Sequence, residues 1–133
     1  MTDWTVFPET ITTEEQLDDL MSRPYEQLVE LMGRLEGDIA ILGIAGKMGL
    51  TMGTALMRAI EQAGIKKKVY GVSRFSDKSA VTVLERSGIE PIKCDLMDRG
   101  SVGTLPRVPN VIFMAGRKFG TVGGEDLTWA MNT

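Results

Sequence analysis

The chain is predicted to be an α/β protein: a parallel sheet in strand order 3-2-1-4 with helices on both faces, preceded by a helical hairpin. Three observations predict it. Four short apolar runs, "DIAILGIA", "KKVYGVS", "EPIKCDL" and "PNVIFMAG", alternate with stretches of helical periodicity. The first run is continuously apolar, the pattern of a strand buried on both faces, and such strands belong to parallel sheets covered by helices. Right-handed crossovers then arrange four such strands in the order 3-2-1-4.

Residues 1–37 read as two short helices. In "TITTEEQLDDLMSRP", Thr12 with Glu15 three residues on forms a capping box, and Leu17, Leu20 and Met21 make an apolar stripe. Pro24 suits the first turn of a second helix. Leu28, Leu31, Met32 and Leu35 follow at helical spacing, and Gly37 closes the segment. The pair is expected to be an amphipathic hairpin that covers something apolar.

Residues 38–133 carry the strand–helix alternation. After "DIAILGIA" a helical stripe runs through Met52, Ala55, Leu56, Ala59, Ile60 and Ala63, and stops at Gly64. A second strand, "KKVYGVS", leads to a helix over "SDKSAVTVLERSG", capped by Ser76 or Asp77 and ended by Gly88. The third strand, "EPIKCDL", is short. The fourth, "PNVIFMAG", precedes a last helix in "GGEDLTWAMNT".

A chain of 133 residues fits one domain, and its 43% apolar content is enough to build a core. The net charge of −3 is unevenly spread: residues 1–38 hold ten acids and two bases, residues 39–133 eight acids and thirteen bases. A positive body suits an anionic ligand. The single cysteine, Cys94, forms no internal disulfide and fits a reducing, cytoplasmic location. No apolar run is long enough for a membrane span, and the acidic N-terminus lacks the basic start of a signal peptide. There is no histidine, which excludes histidine general acid–base catalysis and histidine metal ligands in these residues.

The stretch "GIAGKMG" follows the first strand and opens the first sheet helix. In a doubly wound sheet that loop lies where ligands bind. Gly43 allows a sharp turn out of the strand. Gly46 lacks a Cβ, so a diphosphate can approach the backbone, and Gly49 lets the helix pack closely. The free N–H groups at the start of that helix, from Lys47 onward, favour an anion. The spacing is not that of a P-loop: Met48 stands where Ser or Thr would bind magnesium, and Ile41 stands five residues before Gly46.

This G-x-x-G-x-x-G loop resembles that of the extended short-chain dehydrogenase/reductase group, the NAD-dependent epimerase/dehydratase family. Three later segments add to the resemblance in the same order. "CDLMD" is similar to the family's third strand, which ends in an aspartate beside the adenine; here that is Asp95, followed by Leu96. "MAGRKFGTVG" resembles the stretch after the fourth strand in nucleotide-sugar epimerases, with Ala115, Gly116, Lys118 and Gly120 in matching places. "WAMNT" resembles a helix that carries a structural asparagine, matched by Asn132. The resemblance spans residues 38–133 and implies a Rossmann-like NAD(P)-binding domain. The cofactor-binding residues it implies, together with the loop itself, are Gly43, Ala45, Gly46, Lys47, Met48, Gly49, Ser73, Arg74, Asp95, Leu96, Ala115, Gly116 and Lys118. Residues 1–37 have no counterpart in the family pattern.

The second strand ends in Ser73 and Arg74, with no acid before Asp77. An acid there favours the ribose 2′-OH of NAD, whereas an arginine pairs with the 2′-phosphate of NADP. NADP is therefore expected over NAD, with Lys47 as a second cation. The family's Tyr-x-x-x-Lys pair is absent: Val29 and Arg74 stand four residues after Tyr25 and Tyr70. The chain is thus expected to hold the cofactor site of an epimerase/dehydratase-type oxidoreductase, stopping before a fifth strand, and to turn over nothing alone. The alternative is a non-catalytic NADP-binding sensor or regulatory module. The expected partners are a small-molecule substrate, with a nucleotide sugar implied by the resemblance, and a second copy paired along the fourth strand, whose open edge would make a homo-oligomer. Neither nucleic acid nor membrane is expected.

Overall fold

The structure, a computed structural model, describes residues 3–116 and 122–132. Its elements are α1 (Glu14–Met21), α2 (Glu26–Arg34), β1 (Ile39–Leu42), α3 (Lys47–Gln62), β2 (Val69–Ser73), α4 (Lys78–Arg86), β3 (Glu90–Lys93), α5 (Arg99–Gly103), β4 (Asn110–Phe113) and α6 (Glu125–Asn132). The strands form one parallel sheet in the order β3-β2-β1-β4, as the sequence pattern predicts, and the architecture is Rossmann-like. In register, Ile41 lies beside Gly71 and Ile112, and Leu42 beside Val72 and Phe113.

Side chains alternate along a strand, so Ile39, Ile41, Val69 and Ile112 share one face. They join Ile44, Leu56, Ile60, Leu84 and Ile89 in the core under α3 and α4. Both helices end in the same device. Gly64 and Gly88 take positive φ, and the next residue's N–H reaches back to the final turn, Ile65 to the Ile60 carbonyl and Ile89 to the Leu84 carbonyl. This closing motif satisfies carbonyls the helix itself cannot, and it turns Ile89 inward to 2% exposure.

The opposite face is thinly covered. The connection from β3 to β4 contains only the five-residue α5, which buries none of its residues. The sequence pattern did not show this helix; its cap, Asp98, accepts from the Gly100 and Ser101 N–H groups. Val111 and Phe113 on that face stay 55% and 62% exposed, and β4 is an edge strand. No helix among the described residues is long and apolar enough to cross a membrane.

The N-terminal hairpin packs on α3 through α2. Met32 is 2% exposed and belongs to the sheet core, with Leu28, Val29 and Leu35 packed against it. Burial of such a side chain contributes about 1.5–3 kcal/mol. The details differ from the pattern-based expectation. Thr13, not Thr12, caps α1 and accepts from the Gln16 N–H, while Gln16 accepts from the Thr12 N–H. The cap therefore sits one residue later than the pattern suggests, and the Gln16 side chain reaches back past it to the residue before. Pro24 precedes the α2 cap, Tyr25, and does not stand in the first turn. Leu31 is exposed, since the stripe that meets α3 is narrower than the apolar spacing. Helix α2 ends at Arg34 with Leu35 as its extended C-cap, and Gly37 serves a later turn, at φ 79°, where a Cβ would collide with the Pro109 ring.

A polar clasp fixes α1 and the preceding strap. Asp19 receives Arg23 at 2.8 Å and Arg58 of α3 at 3.0 Å. Arg58 also donates to the Ser22 hydroxyl and the Asp19 carbonyl, and its guanidinium lies 4.6 Å from the Trp4 ring centre. Arg23 donates to the Trp4 and Val6 carbonyls. The Arg23 hydrogen bond, aided by the charge of Arg58, holds the Asp19 carboxyl below its usual range against the opposing effect of burial. A carboxyl with a depressed folded-state pKa adds stability above its unfolded pKa and loses it as pH falls through the folded value. Asp19→Asn should therefore cost about 1 kcal/mol at neutral pH, a figure kept small by the partial exposure of the site. In thermal melts across pH the gap from wild type should be widest above about pH 5 and should close in acid.

Candidate functional site

The three loop glycines have different local reasons. Gly43 has φ 87°, and a Cβ there would lie 2.5 Å from the Ala115 nitrogen, where the chain leaving β1 passes the end of β4. Gly49 is buried, and a Cβ would lie 2.7 Å from the Ile44 carbonyl carbon. Both positions thus exclude any side chain. Gly46 differs. It caps α3 at φ −73° and ψ 163°, which any residue adopts, and the nearest atom to an added Cβ is the Gly43 oxygen at 3.9 Å. The fold does not require glycine there. The space beside Gly46 is a cleft.

That cleft, about 210 Å³, lies at the C-terminal ends of the strands. Gly43 and Gly46 line it from the β1 side, Ser73 and Arg74 from β2, Asp95 and Leu96 from β3, and Ala115 and Gly116 from β4. Eight of the thirteen expected residues therefore meet in one place. A second cavity, about 320 Å³, shares Ser73 and Arg74 and continues past Ala45 toward Asp77 and Ser79 at the start of α4. Lys47 and Met48 open α3 with exposed side chains and line neither cavity, and Gly49 lies beneath the helix. Among the expected residues only backbone N–H groups could serve the cleft from Lys47 and Met48. Lys118 and Gly120 lie outside the described residues.

Two wider grooves, about 810 and 920 Å³, lie elsewhere and include none of the loop glycines. Volume is a weaker guide here than donors. The first N–H groups of any helix lack a carbonyl one turn back, and no side chain caps α3. With the helix dipole they make the mouth of the smaller cleft a place for negative charge.

The polar side chains around it are differently engaged. Asp95 is exposed and accepts from the Met97 N–H through one carboxylate oxygen at 3.0 Å. Asp77 uses both carboxylate oxygens on Ser79, one on the N–H and one on the hydroxyl. Those bonds hold its pKa below the usual range. Arg74 is exposed at the junction of the cavities, and the ion pairs found among the described residues both involve Asp19, not Arg74.

Cys94, Met114 and Met131 also line the cleft, and pattern reasoning did not single them out as site residues. Cys94 lies just past β3 and is 4% exposed; burial first, then the charges of Asp95 and Asp98, push its thiol pKa up, which disfavours the thiolate form. Met131 comes from α6, whose last residue approaches the same loop: a Cβ on Gly116 would lie 3.0 Å from Asn132 Oδ1. No local signal in the sequence marks a methionine for such a position. No cluster of His, Cys, Asp and Glu among the described residues could hold a metal ion. The chain matches no protein-family model, no curated protein and no solved structure.

Serine substitutions separate the glycine roles. Gly43→Ser and Gly49→Ser should each cost about 1–3 kcal/mol, the usual cost of forcing atoms into a filled site. Gly46→Ser should change stability by only a few tenths of a kcal/mol, since serine is a good helix cap. Urea denaturation of the three variants checks the contrast, and a loss at Gly46 as large as at Gly49 would contradict the open geometry.

Proposed function

We propose that this chain is the NADP-binding part of an oxidoreductase of the epimerase/dehydratase type. The observation that carries the reading is Gly46: a glycine that neither backbone angle nor packing demands, at an uncapped helix N-terminus, facing a cleft built from the ends of all four strands. A diphosphate would lie against Gly46 and the first N–H groups of α3. Asp95 and Leu96 would border the adenine side, and Ala115 and Gly116 the side toward the nicotinamide. The bound nicotinamide would supply hydride transfer.

The preference for NADP follows from the second cavity. Its one acid, Asp77, is committed to capping α4, so it is poorly placed to accept from a ribose hydroxyl. Arg74 at the cavity junction would pair with a 2′-phosphate through charge-assisted hydrogen bonds. The resemblance points to a nucleotide sugar as the substrate, and the lone buried thiol suits a reducing cytoplasm.

A second reading, a non-catalytic NADP-binding module, is favoured by what borders the cleft. Neither Tyr25 nor Tyr70 lines it, and the pKa of the Cys94 thiol is pushed up by burial, away from the reactive thiolate. Under both readings the chain alone binds cofactor and turns over nothing, and a rate above background with NADPH and a nucleotide sugar would contradict both.

Calorimetric titration tests the binding. NADP should bind more tightly than NAD by about 1–3 kcal/mol, the range for hydrogen bonds to charged groups. Arg74→Asp should reverse the order. Gly46→Val should weaken NADP by more than about tenfold, or about 1.4 kcal/mol, without loss of fold. Equal affinities in the wild type, or an unaffected valine variant, would overturn the assignment.

A further inference from the structure

The groove of about 810 Å³ at the other end of the sheet is lined by the last turns of α3 and α4 and by the loop before β2. Its floor contains Met57, Ile60 and Ile65, and five cationic side chains surround it against two acids, Asp38 and Glu61. Two of the cations have local work. Lys67 donates to the Leu35 and Gly37 carbonyls, and Arg58 belongs to the Asp19 clasp. Lys66, Lys68 and Arg86 are exposed, and the ion pairs found among the described residues include none of them.

The complementary surface is on the same chain. Helix α1 buries none of its residues. Leu17 and Met21, one turn apart, are exposed, and Glu14, Glu15 and Asp18 beside them are exposed acids without an ion pair among the described residues. An acidic helix with an apolar pair matches a groove with an apolar floor and a cationic rim. A polyphosphate strand would meet Asp38 and Glu61 without using that floor. Arg58 lines the groove and also grips Asp19 of α1, so α1 stands at the groove's rim with Leu17 and Met21 on its other, exposed face. Adjacent patches of opposite character can satisfy each other reciprocally about a two-fold axis.

We propose that α1 of one copy docks in the basic groove of a second copy, and the second α1 in the first groove, forming a salt-sensitive symmetric dimer. The dimer does not depend on nucleotide binding. It is also distinct from pairing along β4, which would join sheet edges without these charges.

Sedimentation of the whole chain tests it. The wild type should dimerise in about 0.01 M salt and dissociate in about 1 M, over which the Debye length falls from about 30 Å to about 3 Å. Two charge-reversed chains, one with Lys66→Glu, Lys68→Glu and Arg86→Glu, the other with Glu14→Lys and Asp18→Lys, should each be monomeric at low salt. Mixed together they should form a heterodimer, because each groove again meets an opposite helix. Circular dichroism checks that both are folded; if either is not, Leu17→Lys alone should weaken the wild-type dimer at least about tenfold. A wild type that is monomeric at low salt, a dimer indifferent to salt and charge reversal, or a mixture that stays monomeric would each overturn the proposal. So would a monomer that binds a single-stranded oligonucleotide through Lys66, Lys68 and Arg86.

Discussion

Ile44 is the residue on which the arrangement turns. It is fully buried, at the point where the chain leaves β1. Its backbone lies directly beneath Gly49, which sets how closely α3 approaches the sheet. Its side chain fills the space left by two further glycines: a Cβ on Gly53 would lie 3.1 Å from Ile44 Cδ1, and one on Gly71 would lie 3.0 Å from the same atom. One branched side chain thus locks the loop, the helix and the neighbouring strand. Interiors packed to this density transmit small displacements, so the position of the α3 N-terminus follows from Ile44. The cleft beside Gly46 is a consequence of that packing.

The two faces of the sheet are unequal for a related reason. Helices α3 and α4 are long enough to bury a stripe, and each ends in a glycine closure that drives an isoleucine, Ile65 or Ile89, back toward the core. The crossover on the other side has only α5, which is too short to bury one. Val111 and Phe113 are left exposed although they stand beside Ala40 and Leu42 in the sheet. Hydrophobic burial is therefore concentrated on one side, and the N-terminal hairpin adds to that same side through Met32.

The hairpin shows how an acidic segment joins a more basic body with little apolar area. Helix α1 contributes no buried residue, so its position depends on Asp19 and two arginines, both of which lie over the Trp4 ring. A charge cluster of that kind gives direction more than strength. It leaves the outer face of α1 free and keeps Arg58 at the edge of the basic groove.

The sequence alone determined the class of fold. Four apolar runs separated by helical stripes, with Gly64 and Gly88 as stops, have few other solutions, and right-handed crossovers order the strands. It also marked the glycine loop and the end of the second strand, Ser73 and Arg74, because strand ends in such a sheet converge by topology; Asp95 and Ala115 were marked by the family resemblance. Contacts between distant segments were decided only in three dimensions. Gly43 and Gly46 look alike in sequence, yet Ala115 presses on one and nothing presses on the other. Met131 and Cys94 reach the cleft from separate elements, and Lys47, adjacent to a glycine that lines it, does not. Spacing along a chain specifies which face of its own element a residue occupies, whereas the neighbour that meets that face is set by how the elements pack.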